Sequence, residues 1–235
     1  MATPREELSI AVDFADLPNV SAILDRPEED SGRSTILLGH GAGAPLSCAF
    51  LEAVATGLAA RGLAVLRFNY GYSERAVRDG KRRPPDRLPA LLEVHRRAAA
   101  VARELYPESR LVLAGKSMGG RMSSVLAAEG EEAAGLVYLG YPLHPAGKQE
   151  KLRTEHFPAI SHPTLFLQGT RDALCNLELL HPALETYGGA VELHLVEGAD
   201  HDFRVLKKSG RTEEDVLEEV LDRVVAWEKA TFPGS

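Results

Sequence analysis

The chain has 235 residues, which is enough for one large domain over residues 1–235 with a substantial buried core. Its formal net charge of -7 argues against general nucleic-acid binding, and its 44% hydrophobic content is typical of a globular protein. No apolar run reaches the length of a membrane span, and residues 1–7 lack the features of a signal peptide. We therefore expect a cytoplasmic protein that binds no membrane.

The first elements of the chain have strand character. Residues 8–12 and 20–24 are short runs separated by a polar turn, and they predict an antiparallel hairpin. Residues 34–38 form the first strongly apolar strand, and the small-residue loop 39–44 follows it. Apolar residues at helical spacing then predict a helix over 47–61.

Strands and helices continue to alternate along the rest of the chain. A strand at 64–69 is followed by a long polar loop to about Pro85 and then by an amphipathic helix. Thr212, with Asp215 three residues later, resembles a capping box at the start of the final helix. The later strands are predicted at 111–114, 135–141, 164–168 and 191–196. This alternation predicts an α/β fold with a doubly wound, mostly parallel sheet and helices on both faces.

Residues 115–119 fit the pattern G-x-S-x-G and directly follow the apolar strand at 111–114. This arrangement indicates a nucleophile elbow, in which Ser117 adopts a strained conformation between a strand and a helix. Gly115 and Gly119 lack a β-carbon and let the strand and the helix approach each other closely. The N–H of Met118 would then face a developing oxyanion.

Two other interpretations fit this stretch less well. One is an ordinary glycine-rich turn between a strand and a helix. The other is a phosphate-binding loop, because residues 115–117 spell the end of that motif. That motif requires a glycine at the position of Arg110 and a flexible loop in place of an apolar strand, so it is dismissed.

A serine nucleophile needs a histidine base and an acid that orients the histidine. In a doubly wound fold with a nucleophile elbow, the acid follows the serine in the sequence and the histidine follows the acid. Asp172 follows the strand at 164–168, and His201 follows the strand at 191–196. Both therefore lie at the carboxyl edge of the sheet, where the elbow also opens. We predict that His201 accepts the proton of Ser117 and that Asp172 orients the imidazole.

Other residues fit these roles less well. Residues 142–145, which directly follow the strand at 135–141, include no carboxylate, and Asp200 and Asp202 are expected to shape the turn around His201. His194 lies in the middle of a strand and is expected in the core. Surface positions are expected for His95, His156, His162 and His181. No spacing matches a zinc or calcium site, so no metal or cofactor is predicted.

The loop after the first apolar strand is the candidate for the second half of an oxyanion hole. Its small residues would allow backbone N–H groups to face a substrate, with Ala42 as the first choice and Gly43 as the second. His40 is expected to be a structural hydrogen-bonding residue. A dinucleotide-binding interpretation of 39–44 matches poorly, because the strand at 64–69 ends without the acid that would bind a ribose.

Four motifs together resemble the α/β-hydrolase superfamily over nearly the whole chain. They are His40-Gly41, the elbow at 115–119, Asp172 and His201. Residues 115–121, 140–145 and 153–156 further resemble a small branch related to dienelactone hydrolases, which includes a testis-expressed animal protein and a subunit of a chromatin acetyltransferase complex. The resemblance implies hydrolysis of an ester, lactone or thioester, although some members act as binding partners. Dienelactone hydrolases use cysteine where this chain has Ser117, so their substrate is not transferred.

The residues between the strands at 135–141 and 164–168 are too few for a full cap domain, which predicts an open site for a small-molecule substrate. Basic residues cluster in two loops near the same edge, and two interpretations stay open: a rim for anionic acyl substrates, or a solvated basic surface. The members of this rim are Arg75, Arg78, Lys81, Arg82, Arg83, Arg87, Lys148, Lys151 and Arg153. Cys48 and Cys175 are expected to be free thiols. A catalytically idle scaffold for protein contacts is the competing functional class.

Overall fold

Eight strands form a single sheet in the computed structural model, which describes residues 4–28 and 33–233. The strands are β1 (Arg5–Phe14), β2 (Leu17–Asp25), β3 (Ser34–Gly39), β4 (Ala64–Phe68), β5 (Arg110–Lys116), β6 (Gly135–Leu139), β7 (Thr164–Gly169) and β8 (Val191–Val196). They are arranged in the order β1-β2-β4-β3-β5-β6-β7-β8. Strand β2 is antiparallel to both β1 and β4, whereas β4, β3 and β5 to β8 pair in parallel. The predicted hairpin and the mostly parallel sheet are confirmed.

Helices cover both faces of this sheet. They are α1 (Ala49–Ala59), α2 (Gly71–Asp79), α3 (Leu88–Leu105), α4 (Met118–Ala128), α5 (Leu177–Glu185) and α6 (Glu213–Thr231). Helices α1 and α6 share one apolar core, and α2 to α5 contribute to the core on the opposite face. The wholly apolar strands are therefore buried from both sides, as a doubly wound fold requires. Within the described residues, no helix combines the length and the apolar character needed to cross a bilayer.

The predicted polar loop between β4 and Pro85 contains a helix, and the prediction was wrong there. Helix α2 buries only its first turn, so its sequence lacks an apolar stripe. An ion pair and a hydrogen bond to a distant segment stabilise it instead. Arg75 binds the Asp16 carboxylate through two contacts of 2.6 and 2.7 Å, and Glu74 accepts the N–H of Ser21 at 2.9 Å. These partners lie in the β1–β2 hairpin, far away in the sequence.

Three histidines also differ from expectation. His156, expected at the surface, is partly buried, and its Nε2 lies 2.7 Å from Ser124 Oγ. His95 is fully buried, with Nδ1 3.0 Å from the hydroxyl of Tyr70, and burial lowers its pKa to about 3. His194 is only partly buried, and its Nε2 lies 2.7 Å from a carboxylate oxygen of Glu219. The predicted capping box is confirmed, since Thr212 and the Asp215 carboxylate exchange hydrogen bonds at the start of α6.

The carboxyl ends of the parallel strands meet at one edge of the sheet. Gly39 of β3 pairs with Gly115 of β5, and Gly169 of β7 pairs with Val196 of β8, so the loops that follow emerge side by side. The segment 140–163 between β6 and β7 contains only a short 3-10 turn, Phe157–Ala159, and no cap domain. The candidate site therefore opens directly at this edge.

Candidate active site

Ser117 stands in the sharp turn between β5 and α4. Its backbone has φ 51° and ψ -113°, a conformation that costs a residue with a β-carbon about 1–3 kcal/mol. The turn brings strand and helix so close that a β-carbon on Gly115 would lie 2.2 Å from the carbonyl carbon of Gly119. The N–H of Ser117 donates to the Leu139 carbonyl at 3.0 Å, which ties the turn to β6. The predicted nucleophile elbow therefore has the geometry expected of it.

The structure brings Ser117, His201 and Asp172 into a continuous chain of contacts. His201 Nε2 lies 2.8 Å from Ser117 Oγ, and His201 Nδ1 lies 2.7 Å from Asp172 Oδ2. A carboxylate oxygen only accepts, so Nδ1–H donates to Asp172 and the lone pair of Nε2 faces the serine hydroxyl. In this tautomer the imidazole is arranged to accept the serine proton.

Two further donors hold the Asp172 carboxylate, whose side chain is fully buried. Gln168 Nε2 donates to Oδ2 at 2.6 Å, and the N–H of Leu174 donates to Oδ1 at 2.7 Å. These hydrogen bonds offset the free-energy cost of removing the carboxylate from water. Sequence reasoning missed Gln168. Its only signal was a polar residue near the end of an otherwise apolar buried strand.

The turn that carries His201 is fixed by its neighbours. Asp200 Oδ1 accepts the N–H groups of Asp202 and Arg204, each at 2.9 Å. Phe203 adopts a φ of 61°, and its ring stacks on that of Phe50 at 5.3 Å between centroids. The aspartate therefore shapes the turn, as expected, while Phe203 anchors the turn in the core beneath α1.

His40 stabilises the candidate oxyanion loop, residues 39–44, through hydrogen bonds to backbone groups. It is fully buried; its Nδ1 donates to the Gly41 carbonyl at 2.8 Å, and its Nε2 accepts the N–H of Tyr70 at 3.1 Å. Burial lowers the pKa of His40 to about 4, so the ring is neutral at pH 7. Both ring nitrogens are occupied by backbone groups, which matches a structural role.

The backbone N–H groups of Met118 and Ala42 are the best candidates for the two donors of an oxyanion hole beside Ser117. Met118 begins α4, so its N–H has no carbonyl partner within the helix. Ala42 and Met118 line the same cavity as Ser117. The N–H of Gly43 donates to the Tyr72 hydroxyl at 3.2 Å, so Ala42 is favoured over Gly43. Tyr72 belongs to α2 and was not foreseen as part of the site.

A cavity of about 420 Å³ adjoins Ser117. Most of its wall is apolar, and its charged lining residues are Asp86, Arg121 and Arg153. The remaining lining residues are Ala42, Pro85, Leu88, Leu91, Met118, Met122, Pro142, Pro145, Ala146 and Leu174. His201 borders the hydroxyl of Ser117 without lining this cavity.

The sequence matches the α/β hydrolase domain family over residues 32–229. The chain belongs to this family. Solved structures share its fold: a dienelactone hydrolase from Anabaena variabilis is 20% identical, with 97% of each chain covered and a TM-score of 0.74. A serine hydrolase without lid from Xanthomonas campestris is also 20% identical, covering 100% of this chain and 98% of that chain, with a TM-score of 0.69. An esterase from Pyrococcus furiosus is 18% identical, covering 99% and 92%, with a TM-score of 0.74.

Of the nine residues of the predicted basic rim, Arg153 lines the cavity beside Ser117, whereas Arg75, Arg78 and Lys148 do not. Arg75 and Arg78 contact Asp16, and Arg78 also pairs with Asp79 at 2.9 Å. Lys148 is exposed and does not line the cavity. A role of Arg75, Arg78 and Lys148 in substrate binding therefore stays a prediction.

Two further groups lie close to the site of this α/β hydrolase. Lys116 is buried next to the elbow, with Nζ 3.9 Å from Asp202 Oδ1 and 5.9 Å from the centroid of the Phe203 ring. Desolvation lowers the pKa of Lys116 to about 8. Cys175 is a buried free thiol whose pKa is raised by burial, so it stays protonated near pH 7 and is no competing nucleophile.

Proposed function

We propose that this α/β hydrolase is a serine hydrolase that cleaves carboxylic ester, lactone or thioester bonds of a small-molecule substrate. The observation that carries the proposal is the pair of contacts joining Ser117 Oγ to His201 at 2.8 Å and His201 to Asp172 at 2.7 Å. A serine held at φ 51° with its hydroxyl against a correctly oriented imidazole is a costly arrangement that acyl transfer uses directly.

In the proposed reaction, Ser117 Oγ attacks the acyl carbon while His201 Nε2 takes the hydroxyl proton. Negative charge then develops on the carbonyl oxygen, where it accepts hydrogen bonds from the N–H groups of Met118 and Ala42. Collapse of this intermediate breaks the bond to the leaving group, which receives the proton from His201. An acyl ester on Ser117 results.

Water completes the cycle by the same route. His201 removes a proton from water as the water oxygen attacks the acyl carbon, and it returns that proton to Ser117 Oγ as the acid product leaves. Asp172 keeps Nδ1 of His201 protonated throughout and stabilises the imidazolium that forms twice in each turnover. No group beyond these side chains and backbone donors is required for the proton transfers.

Motifs at 115–121, 140–145 and 153–156 support a narrower placement within the branch that is related to dienelactone hydrolases and includes the testis-expressed and chromatin-complex proteins. For this chain that placement is part of the proposal. The competing class in such a branch is an idle scaffold, which has no need for an activated serine.

Labelling with a fluorophosphonate probe, followed by peptide mapping, tests the proposal. We expect stoichiometric modification of Ser117 in the native protein and none in Ser117→Ala. Ser124→Ala is a matched control, because Ser124 Oγ also lies 2.7 Å from a histidine nitrogen, in His156, but is buried within α4. Labelling should persist in that variant. A protein that the probe does not modify would favour the scaffold.

A further inference from the structure

Two arginines reach the cavity beside Ser117 from different parts of the chain. Arg121 follows Ser117 by one turn of α4, and its N–H donates to the Ser117 carbonyl at 3.1 Å. Arg153 comes from the segment between β6 and β7, where its N–H donates to the Leu143 carbonyl at 2.9 Å. Both are half-buried. The backbone of each is therefore fixed at the edge of the candidate site.

Neither guanidinium has a carboxylate partner among the described residues. The side chain of Arg121 makes no hydrogen bond there, and its Nε is buried without a partner. Arg153 donates through Nη1 to the Pro142 carbonyl at 3.4 Å. Burial and the nearby positive charge of Arg121 lower the pKa of Arg153. Two adjacent, partly desolvated cations without an anion are unfavourable unless a ligand supplies one.

The other ionisable groups nearby do not supply that anion. The Asp86 carboxylate lines the same cavity but lies 3.5 Å from Arg75. His156 Nε2 lies 2.7 Å from Ser124 Oγ. Burial, and to a smaller extent the positive charge of Arg121, lower the pKa of His156 to about 4. The histidine is therefore neutral at pH 7. Two guanidinium groups and one carboxylate, that of Asp86, line the cavity, and the carboxylate forms its ion pair with Arg75 rather than with Arg121 or Arg153.

The cavity lies on the acyl side of the proposed reaction. His201 must protonate the leaving group, so the leaving group occupies the His201 side of Ser117. The cavity is lined by Met118 and Arg121 but not by His201. An acyl chain attached to Ser117 Oγ would therefore extend into the cavity, whose wall combines Leu88, Leu91 and Met122 with the two arginines.

We propose that Arg121 and Arg153 bind a carboxylate at the far end of the acyl chain, so that the preferred substrates are half-esters or half-thioesters of dicarboxylic acids. This inference deepens the proposed hydrolase function and rests on it. Guanidinium groups bind carboxylates through paired, charge-assisted hydrogen bonds, and the apolar residues of the same cavity wall suit a chain of methylene groups.

A matched pair of substrates tests the proposal. The 4-nitrophenyl monoester of adipic acid carries a terminal carboxylate, and the corresponding ester with a terminal carboxamide has nearly the same shape. We expect a higher kcat/KM for the carboxylate ester in the native protein. Arg121→Gln and Arg153→Gln should each lower the ratio of the two kcat/KM values by about 10- to 100-fold, the range for a hydrogen bond to a charged group.

Arg78→Gln serves as the control for surface charge, because Arg78 is exposed and pairs with Asp79. Its ratio should match that of the native protein. Thermal unfolding of each variant verifies folding, and Arg121→Lys should retain part of the preference. Equal ratios in the native protein and in both glutamine variants would overturn the proposal. So would a preference that appears only when the carboxylate is on the leaving group, as in a hexanoyl ester of 4-hydroxybenzoate.

Direct binding separates this inference from the proposed function. Adipamate, which has one carboxylate and one amide, can be titrated into Ser117→Ala by calorimetry, with no turnover required. Binding that weakens about tenfold or more when Arg121→Gln is added supports the anion site even if the native protein hydrolyses no ester. Binding that is absent, or unaffected by Arg121→Gln, contradicts it even if the fluorophosphonate labels Ser117.

Discussion

Gly119 packs directly against Gly39, so that a β-carbon on Gly119 would lie 2.2 Å from the Gly39 carbonyl oxygen. This contact joins the first turn of the elbow helix to the end of β3. The loop after β3 carries Ala42, so the distance between the two proposed oxyanion donors depends on this close approach. The backbone contact leaves no flexible side chain that could move to accept a methyl group.

Gly119→Ala should therefore separate α4 from β3. We expect a loss of about 1–3 kcal/mol in the free energy of unfolding, measured by urea denaturation, and a fall in ester kcat/KM of about 100-fold. Gly120→Ala is the comparison variant and should have smaller effects on stability and activity. Its β-carbon would lie 2.8 Å from the Gly115 carbonyl oxygen, so the backbone has to move less. Equal stability and activity of Gly119→Ala and the native protein would show that the contact is unimportant.

The orienting role of Asp172 predicts a large loss for a change that preserves volume. Asp172→Asn should lower kcat by roughly 10³- to 10⁴-fold in steady-state ester assays, because the amide favours the wrong tautomer of His201. Asp202→Asn is the matched control, since Asp202 is an exposed carboxylate one residue from the same histidine. A greater loss in Asp202→Asn than in Asp172→Asn would mean that the acid had been misassigned.

A buried ion pair anchors the other end of the oxyanion loop. Arg67 and Asp25 are both fully buried, with Nε 2.8 Å from Oδ2, and Arg67 Nη1 donates to the Leu46 carbonyl at 2.8 Å. Arg67→Met should reduce the free energy of unfolding by about 3 kcal/mol, because the buried Asp25 carboxylate then keeps Arg5, whose Nε lies 3.2 Å from Oδ1, as its remaining cationic partner. Adding Asp25→Asn should recover part of this loss in urea denaturation. A double variant less stable than Arg67→Met would contradict the explanation.

The burial of His40 predicts a pH-dependent stability. Its pKa is about 4 in the folded state and about 6.5 in an unfolded chain, so the unfolded state binds the proton first as the pH falls. The contribution of neutral His40 is thus fully present above pH 6.5. It is lost at about 1.4 kcal/mol per pH unit as the pH falls toward 4.

Urea denaturation at several pH values between 7.5 and 4.5 measures this slope. His40→Gln should lower this slope by about 1.4 kcal/mol per pH unit, and the buried His95 and half-buried His156, whose pKa values are also lowered, account for a remaining slope. His181→Gln, a change at an exposed histidine, is the control. Parallel slopes for the native protein and His40→Gln would assign the acid sensitivity to other groups.

Much of the fold was predictable from the sequence, because buried parallel strands are continuous apolar runs and the helices between them have apolar stripes. The site was predictable for a related reason. Ser117, Asp172 and His201 each follow a strand, and the carboxyl ends of parallel strands meet at one edge. Their order in the sequence thus translates directly into proximity.

The elements that escaped prediction depend on contacts between distant segments. Helix α2 lacks an apolar stripe and is held by an ion pair and a hydrogen bond to the β1–β2 hairpin, so local patterning could not reveal it. His95 occurs on an amphipathic helix whose periodicity does not separate an inward histidine from an outward one. Arg153 was predicted as a member of the basic rim, but only the packing of the segment 140–163 reveals that it lines the cavity together with Arg121.

The turnover of 4-nitrophenyl esters by the native protein and by Ser117→Ala tests the central claim most directly. If Ser117, His201 and Asp172 act as one catalytic unit, removing the hydroxyl should lower kcat by about 1000-fold or more, with an unchanged unfolding profile. A Ser117→Ala variant as active as the native protein would contradict this catalytic role and would show that the nucleophile is another residue.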